Sequence, residues 1–143
     1  MSTQAPERAA RPHWPAVTSL IPHRPPILMV EEIVEAGEER IVCRGVLPYS
    51  SPFLALELAA QTAAVMAALE AGEAAGPGAA VGYLAAIHDA RFLVPDIPSG
   101  RPVLATVQKA GSLPPLRRYE VSVALEEGAV ELVRATLSTY RAG

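Results

Sequence analysis

The stretch from residue 52 to residue 70, PFLALELAAQTAAVMAALE, decides the fold. Its first residue is a proline that suits the first helical position, two serines before it can supply an N-cap, and glycines follow from Gly72 onward. The pattern therefore predicts a helix of about five turns. Apolar residues lie on nearly all sides of this helix, so other parts of the chain must enclose it. Glu57 and Gln61 interrupt the apolar run one turn apart, and a carboxylate there needs a physical reason.

The remaining sequence supplies strands that can enclose the helix. Two runs rich in β-branched residues, 27–34 and 40–47, precede it, and the first of them, ILMVEEIV, also fits a short helical turn. Four runs near strand length follow the helix between Pro and Gly residues. Apolar and polar side chains alternate in 119–125 and 133–137, and residues 126–128 between them predict a hairpin turn. The order predicts an α+β fold in which an antiparallel sheet wraps one long central helix.

Length and composition indicate one domain with a flexible N-terminal arm. The chain has 143 residues, of which half are hydrophobic, which is enough for a single substantial core. Residues 1–18 are rich in Ala, Pro and Arg and have no apolar periodicity, so we predict an arm over 1–18 and a folded domain over 19–143.

Charge and motif content exclude several classes of function. The net charge of −3 and the absence of a basic cluster argue against nucleic acid as a partner. The first residues lack the apolar stretch of a signal peptide, and the helix is a poor membrane span because it carries Glu57 and Gln61, so we expect a cytoplasmic protein with no membrane contact. With one cysteine, no histidine pair at ligand spacing and no Gly-rich phosphate loop, the sequence predicts neither a metal nor a cofactor.

Three phrases carry a resemblance to a known family. They are LIPHRPPILMVEEIVE (20–35), LELAAQTAA (56–64) and GYLAAIHDARFLVPDIPSGRPV (82–103). In this order they resemble the hot-dog 3-hydroxyacyl-[acyl-carrier-protein] dehydratases, most closely the divergent dehydratases of aryl-polyene-type biosynthesis. The resemblance covers about residues 20–140 and implies the hot-dog fold, with Glu57 at the position of the catalytic acid. The usual dehydratases carry a Gly-His-Phe-Pro-Gly loop before the helix, but here that region, RGVLPYSSPF (44–53), contains no histidine.

Dehydration of a 3-hydroxyacyl thioester needs a base for the α-proton, an acid for the departing hydroxyl and donors for the thioester oxygen. Glu57 suits the acid because apolar neighbours favour its neutral form. Backbone N–H groups around Pro52, Phe53 and Leu54 can bind the thioester oxygen, although Pro52 itself has no donor. Gln61 lies on the same helix face, where it orients Glu57, contacts substrate or has a purely structural role. The alternative for Glu57 is an ion pair with an arginine, or a position at the surface.

Three histidines are candidates for the base. His23, in the Pro-His-Arg phrase, is the first choice, and its alternative role is to hold the preceding loop through backbone hydrogen bonds. His88 falls in a strand where it faces either inward or to solvent, and His13 lies in the arm, where it is incidental.

The leading functional prediction is dehydration of a 3-hydroxyacyl thioester on acyl-carrier protein to the trans-2-enoyl thioester, in fatty-acid or polyene/polyketide-type biosynthesis. The alternatives are a hot-dog acyl thioesterase and a non-catalytic acyl-binding subunit that completes a paralogous dehydratase. The predicted partners are an acyl-carrier protein or coenzyme A thioester and a second subunit, identical or paralogous. Candidate contacts for the carrier or its phosphopantetheine are Arg24, Arg91, Arg117 and Arg118.

Overall fold

The structure, a computed structural model, describes residues 14–72 and 82–141 of the chain. Its one α-helix in that part, α1, spans Pro52–Ala71, and short 3-10 helices span Val17–Ser19 and Glu127–Ala129. The strands are β1 (Val30–Ala36), β2 (Arg40–Val46), β3 (Gly82–Phe92), β4 (Pro102–Leu113), β5 (Leu116–Leu125) and β6 (Glu131–Arg141).

All six strands belong to one antiparallel sheet with the order β1-β2-β4-β5-β6-β3, and α1 packs against it with contacts to every strand. Alternation along the strands explains the packing. Val103, Ala105 and Val107 of β4 are fully buried, whereas the residues between them are partly exposed. The predicted wrapping of the helix is therefore confirmed.

The helix has one side that its own sheet does not cover. Phe53 is 76% exposed, and Glu57, Ala60 and Ala64 are partly exposed, while most of the other central residues of the helix are buried. These four positions follow helical spacing and form a stripe, which we call the open stripe. Glu57 therefore lies on the side of α1 from which a substrate or a second subunit can approach.

The segment before β1 differs from the prediction. The strand begins at Val30 rather than at residue 27, because the preceding residues form turns in which Arg24 holds the chain. The Arg24 guanidinium donates hydrogen bonds to the carbonyls of Ile21 (2.8 Å), His23 (2.7 Å) and Thr18 (3.0 Å).

Two side chains before residue 19 pack against the core. Val17 is 5% exposed, and Trp14 packs against the core as a partly buried side chain. Residues 1–13 lie outside the described residues, so the arm over 1–18 stays a prediction.

Gly45 permits a close approach between β2, the chain before β1 and the helix. A Cβ atom at this position would lie 2.5 Å from the carbonyl oxygen of Met29 and 2.9 Å from Cδ1 of Leu58. The absence of a side chain at residue 45 therefore sets how near the backbone at residue 29 comes to α1.

Length and composition alone would allow α1 to cross a membrane, and it is the one helix in residues 14–72 and 82–141 of which this is true. In the folded chain, 61% of that apolar window is buried inside the protein. Its apolar character is thus accounted for by the sheet that encloses it.

Candidate active site

Gln61 joins α1 to the chain that leads into β1. Its side chain is 1% exposed, and its Oε1 accepts hydrogen bonds from the N–H of Met29 (2.9 Å) and of Val30 (3.4 Å). Its Nε2 donates to the carbonyl of Ile27 (2.9 Å) and to Oε2 of Glu57 (3.1 Å). Both the oxygen and the nitrogen of the Gln61 amide have their hydrogen-bond partners. The backbone partners fix the amide in the orientation in which Nε2, and not Oε1, faces Glu57. This favours the orienting and structural roles of Gln61 over direct contact with substrate.

Only one oxygen of the Glu57 carboxyl group has a hydrogen-bond partner among the described residues. Its Oε2 accepts the hydrogen bond from Gln61, and no ion pair joins its carboxylate to an arginine or lysine among residues 14–72 and 82–141. The alternative that an arginine neutralises Glu57 therefore finds no support in this part of the chain. The second oxygen, Oε1, remains available for proton transfer on the open stripe.

The start of α1 supplies donors close to this carboxyl. Ser51 is the N-cap residue, but its side chain makes no capping hydrogen bond, so the expectation that serine supplies an N-cap oxygen is wrong. Ala55 N–H bonds to the carbonyl of Ser51 (3.3 Å), whereas the N–H groups of Phe53 and Leu54 have no acceptor in the described chain. Two donors at the positive end of the helix are thus free to bind an anionic oxygen.

His23 lies in the turns before β1, but it makes no hydrogen bond to Glu57. Its ring is partly buried, and Nδ1 is buried without a hydrogen-bond partner in the described residues. A proton on Nδ1 would have no acceptor there, which places the proton of the neutral ring on Nε2. His23 as the base remains a prediction, and its alternative role of holding the loop through side-chain hydrogen bonds to the backbone finds no such bond among the described residues.

His88 lies on the outer face of the sheet. It pairs with Thr136 on β6, and its Nε2 lies 3.4 Å from Oγ of Ser138. Leu137, between those two residues, is fully buried on the helix side. Because neighbouring strand residues point to opposite faces, His88 faces away from Glu57.

Exposed apolar side chains lie near the start of α1, and the sequence pattern did not identify two of them as site residues. Tyr49 is 72% exposed and Ile27 is 63% exposed, in addition to Phe53. The carbonyl of Ile27 also accepts the hydrogen bond from Gln61, which brings Ile27 within about one helical turn of Glu57. Burial is a tertiary property, so no sequence signal distinguishes these residues from core residues. No group of three or more metal-binding side chains occurs in the described parts of the chain.

Solved structures establish the fold class as hot-dog. The Xenorhabdus doucetiae dehydratase heterocomplex ApeI:P matches with a TM-score of 0.77 and 16% identity, over 92% of this chain and 93% of that one. A hypothetical thioesterase with coenzyme A from Streptococcus pneumoniae TIGR4 has a TM-score of 0.60 and 12% identity, over 78% and 85%. The E. coli PaaI protein of the phenylacetic acid degradation operon has a TM-score of 0.59 and 14% identity, over 77% and 82%.

The family follows from the sequence itself. The family model for ApeP-like proteins, described as ApeP dehydratase, matches residues 15–143, and the chain belongs to this family. A search of curated proteins finds no match. The predicted kinship with the divergent aryl-polyene-type dehydratases is therefore confirmed, as is the hot-dog fold.

Proposed function

We propose that the protein dehydrates a 3-hydroxyacyl thioester carried on an acyl-carrier protein, in biosynthesis of a fatty acid, polyene or polyketide, with Glu57 as the acid. The observation that carries this proposal is the position of Glu57 on the open stripe, with Oε2 held by Gln61 and the free N–H groups of Phe53 and Leu54 nearby in the helix. Membership in a dehydratase family supports the same chemistry.

The proposal gives each group a role in the reaction. Since Gln61 donates to Oε2, the proton that neutral Glu57 delivers is carried on Oε1. A base removes the α-proton, the C–O bond breaks, and the hydroxyl leaves as water with the proton from Oε1 while the α,β double bond forms. The N–H groups of Phe53 and Leu54 stabilise the negative charge on the thioester oxygen during this step.

The partner in this proposal is a paralogous hot-dog subunit, or a second copy, bound at the edge strand β3. The two edges of the sheet differ, because β1 carries Glu31, Glu32 and Glu35, which discourage strand pairing. On or beside β3, the exposed side chains include Leu84, Ile87, Phe92 and Leu93. The X. doucetiae match is itself a heterocomplex of dehydratase subunits, which supports a paralogous partner.

The test presents purified protein, alone and with a paralogous subunit, with 3-hydroxyacyl and trans-2-enoyl thioesters. Absorbance of the conjugated double bond and release of free thiol are followed separately. Glu57→Gln keeps the size of the side chain but removes the transferable proton, so it should lower turnover by about 100-fold or more. Glu120→Gln is the matched control, because Glu120 is exposed on β5. Normal turnover of Glu57→Gln would contradict the proposed role.

A second candidate is thioester hydrolysis. The likenesses to a thioesterase and to PaaI favour it as the next candidate, because the same fold and a helix carboxylate suit activation of water. Thiol release without a change in the double bond would identify this activity. If only the complex with a paralogue is active and Glu57→Gln leaves its rate unchanged, the chain is the non-catalytic subunit.

A further inference from the structure

The β4–β5 hairpin presents apolar side chains to solvent at the end of the sheet far from Glu57. Leu113 is 77% exposed and Leu116 is 41% exposed, and two prolines join them. Tyr140 of β6 pairs with Leu116 and is 42% exposed, which extends the same patch. Exposed apolar groups that cluster at a turn are typical of a contact surface.

Basic side chains flank this patch. Residues 97–119 contain no Asp or Glu, although the chain as a whole has a net charge of −3, and Lys109, Arg117 and Arg118 lie at the hairpin. Lys109 and Arg117 both pair with Glu70 at the end of α1, the second through Nη1 and Oε1 at 2.8 Å. Arg118 has no carboxylate partner in the described part of the chain. The hairpin therefore keeps positive charge that the fold does not neutralise.

The surface is also concave. A cavity of about 490 Å³ lies between the hairpin stem and the end of α1, with Glu39, Glu70, Lys109, Arg117 and Tyr119 among its lining residues. A second cavity of about 270 Å³ shares Arg117 and Arg118 with it and reaches Leu113 and Leu116. Protruding side chains of a protein fit such hollows.

We propose that this hairpin surface (Lys109, Leu113, Leu116, Arg117, Arg118 and Tyr140) docks an acidic, partly apolar protein surface. The identity of that partner rests on the proposed function, which makes it the carrier protein that delivers the thioester. The positive charge of the hairpin attracts the acidic carrier, and Leu113 and Leu116 form the apolar centre of the contact. A flat anionic bilayer is a poorer occupant, because it has no protruding side chains to fill the two cavities of this surface.

The hairpin surface lies well apart from the reactive groups. Glu70 follows Glu57 by 13 residues on α1, which corresponds to about 20 Å of helix rise. Substitutions at the hairpin therefore leave Glu57 and Gln61 in place. Binding of the carrier and the chemical step can then be measured independently.

The experiment uses the full chain and a purified carrier protein bearing a 3-hydroxyacyl group. Arg118→Glu combined with Leu113→Ser should raise the dissociation constant about tenfold at low salt, and less at high salt, in a fluorescence-anisotropy titration. Arg134→Glu is the control, because Arg134 is 65% exposed but lies away from the hairpin. Turnover of the carrier-bound substrate should fall by a larger factor than turnover of the same acyl group on coenzyme A, which lacks the acidic surface of the carrier.

Two results would overturn the docking proposal. One is unchanged carrier affinity in the double variant, and the other is binding of wild type to vesicles of phosphatidylserine and phosphatidylcholine but not to the carrier. Inactivity toward every thioester would instead refute the proposed function. Even then the anisotropy titration decides whether the hairpin binds the carrier.

Discussion

Replacement of Gln61 by methionine tests whether its amide holds the site together. Methionine has nearly the same length and volume, but it removes the partners of the Met29 N–H and of the Ile27 carbonyl. Leaving a buried backbone group without a partner costs about 1–3 kcal/mol, so two such groups imply a loss of about 2–6 kcal/mol. Domains of ordinary size have about 5–15 kcal/mol of stability in total, so the loss would be a large share.

The measurement is thermal and urea unfolding of Gln61→Met beside Gln108→Met. Gln108 is exposed on β4, so the same chemical change there should have almost no effect. At about 4 °C per kcal/mol, Gln61→Met should melt about 8–24 °C below wild type. Equal melting temperatures for the two variants would refute the reasoning. Below its melting temperature, Gln61→Met should also lose turnover, because Oε2 of Glu57 is no longer fixed.

Three further predictions concern stability and reactivity. Gly45→Ala should destabilise the fold by about 1–3 kcal/mol in urea unfolding, since its Cβ meets backbone at 2.5 Å, while Gly111→Ala, which meets nothing within 4 Å, should not. Burial raises the pKa of Cys43 to about 12, outweighing a hydrogen bond with Thr62. The thiol should therefore resist disulfide reagents at pH 8 until urea unfolds the chain, and fast labelling of folded protein would contradict this. Burial raises the pKa of Glu70, but Lys109 and Arg117 outweigh it and hold that pKa below its usual value. Its stabilisation is present above the unfolded pKa and is lost as pH falls through the lowered folded-state pKa. The deficit of Glu70→Gln in melting temperature should therefore shrink as pH falls below about 4, and a constant deficit would show that the charge is irrelevant.

The sequence predicted the architecture because its signals are local and repeated. A proline start, a glycine end and apolar residues all round identify α1, and alternation identifies β5 and β6. The start of β1 was misplaced because arginine-to-carbonyl bonds, rather than propensity, arrange the preceding turns. Such contacts depend on the three-dimensional path of the chain, and a pattern of residue types does not encode them directly.

Site geometry was predictable only in part. The spacing of Glu57 and Gln61 placed them on one helix face, and the hydrogen bond between them agrees with that prediction. The backbone partners of Gln61 come from a segment more than 30 residues earlier, and no local pattern indicates that contact. The exposure of Phe53 and Tyr49 likewise depends on where the sheet ends around the helix.

The proposed reaction needs a base that removes the α-proton, and the geometry limits which residues can supply it. His88 faces away from Glu57, and Nδ1 of His23 is buried without a hydrogen-bond partner, so neither histidine in the described chain hydrogen-bonds Glu57. The open stripe and the edge strand β3, with its exposed Leu84 and Ile87, are the surfaces that we propose for another subunit. We therefore expect mixing with a paralogous subunit to raise turnover, and His23→Ala in that complex to lower stability more than rate. A rate that falls with unchanged melting temperature would instead make His23 the base.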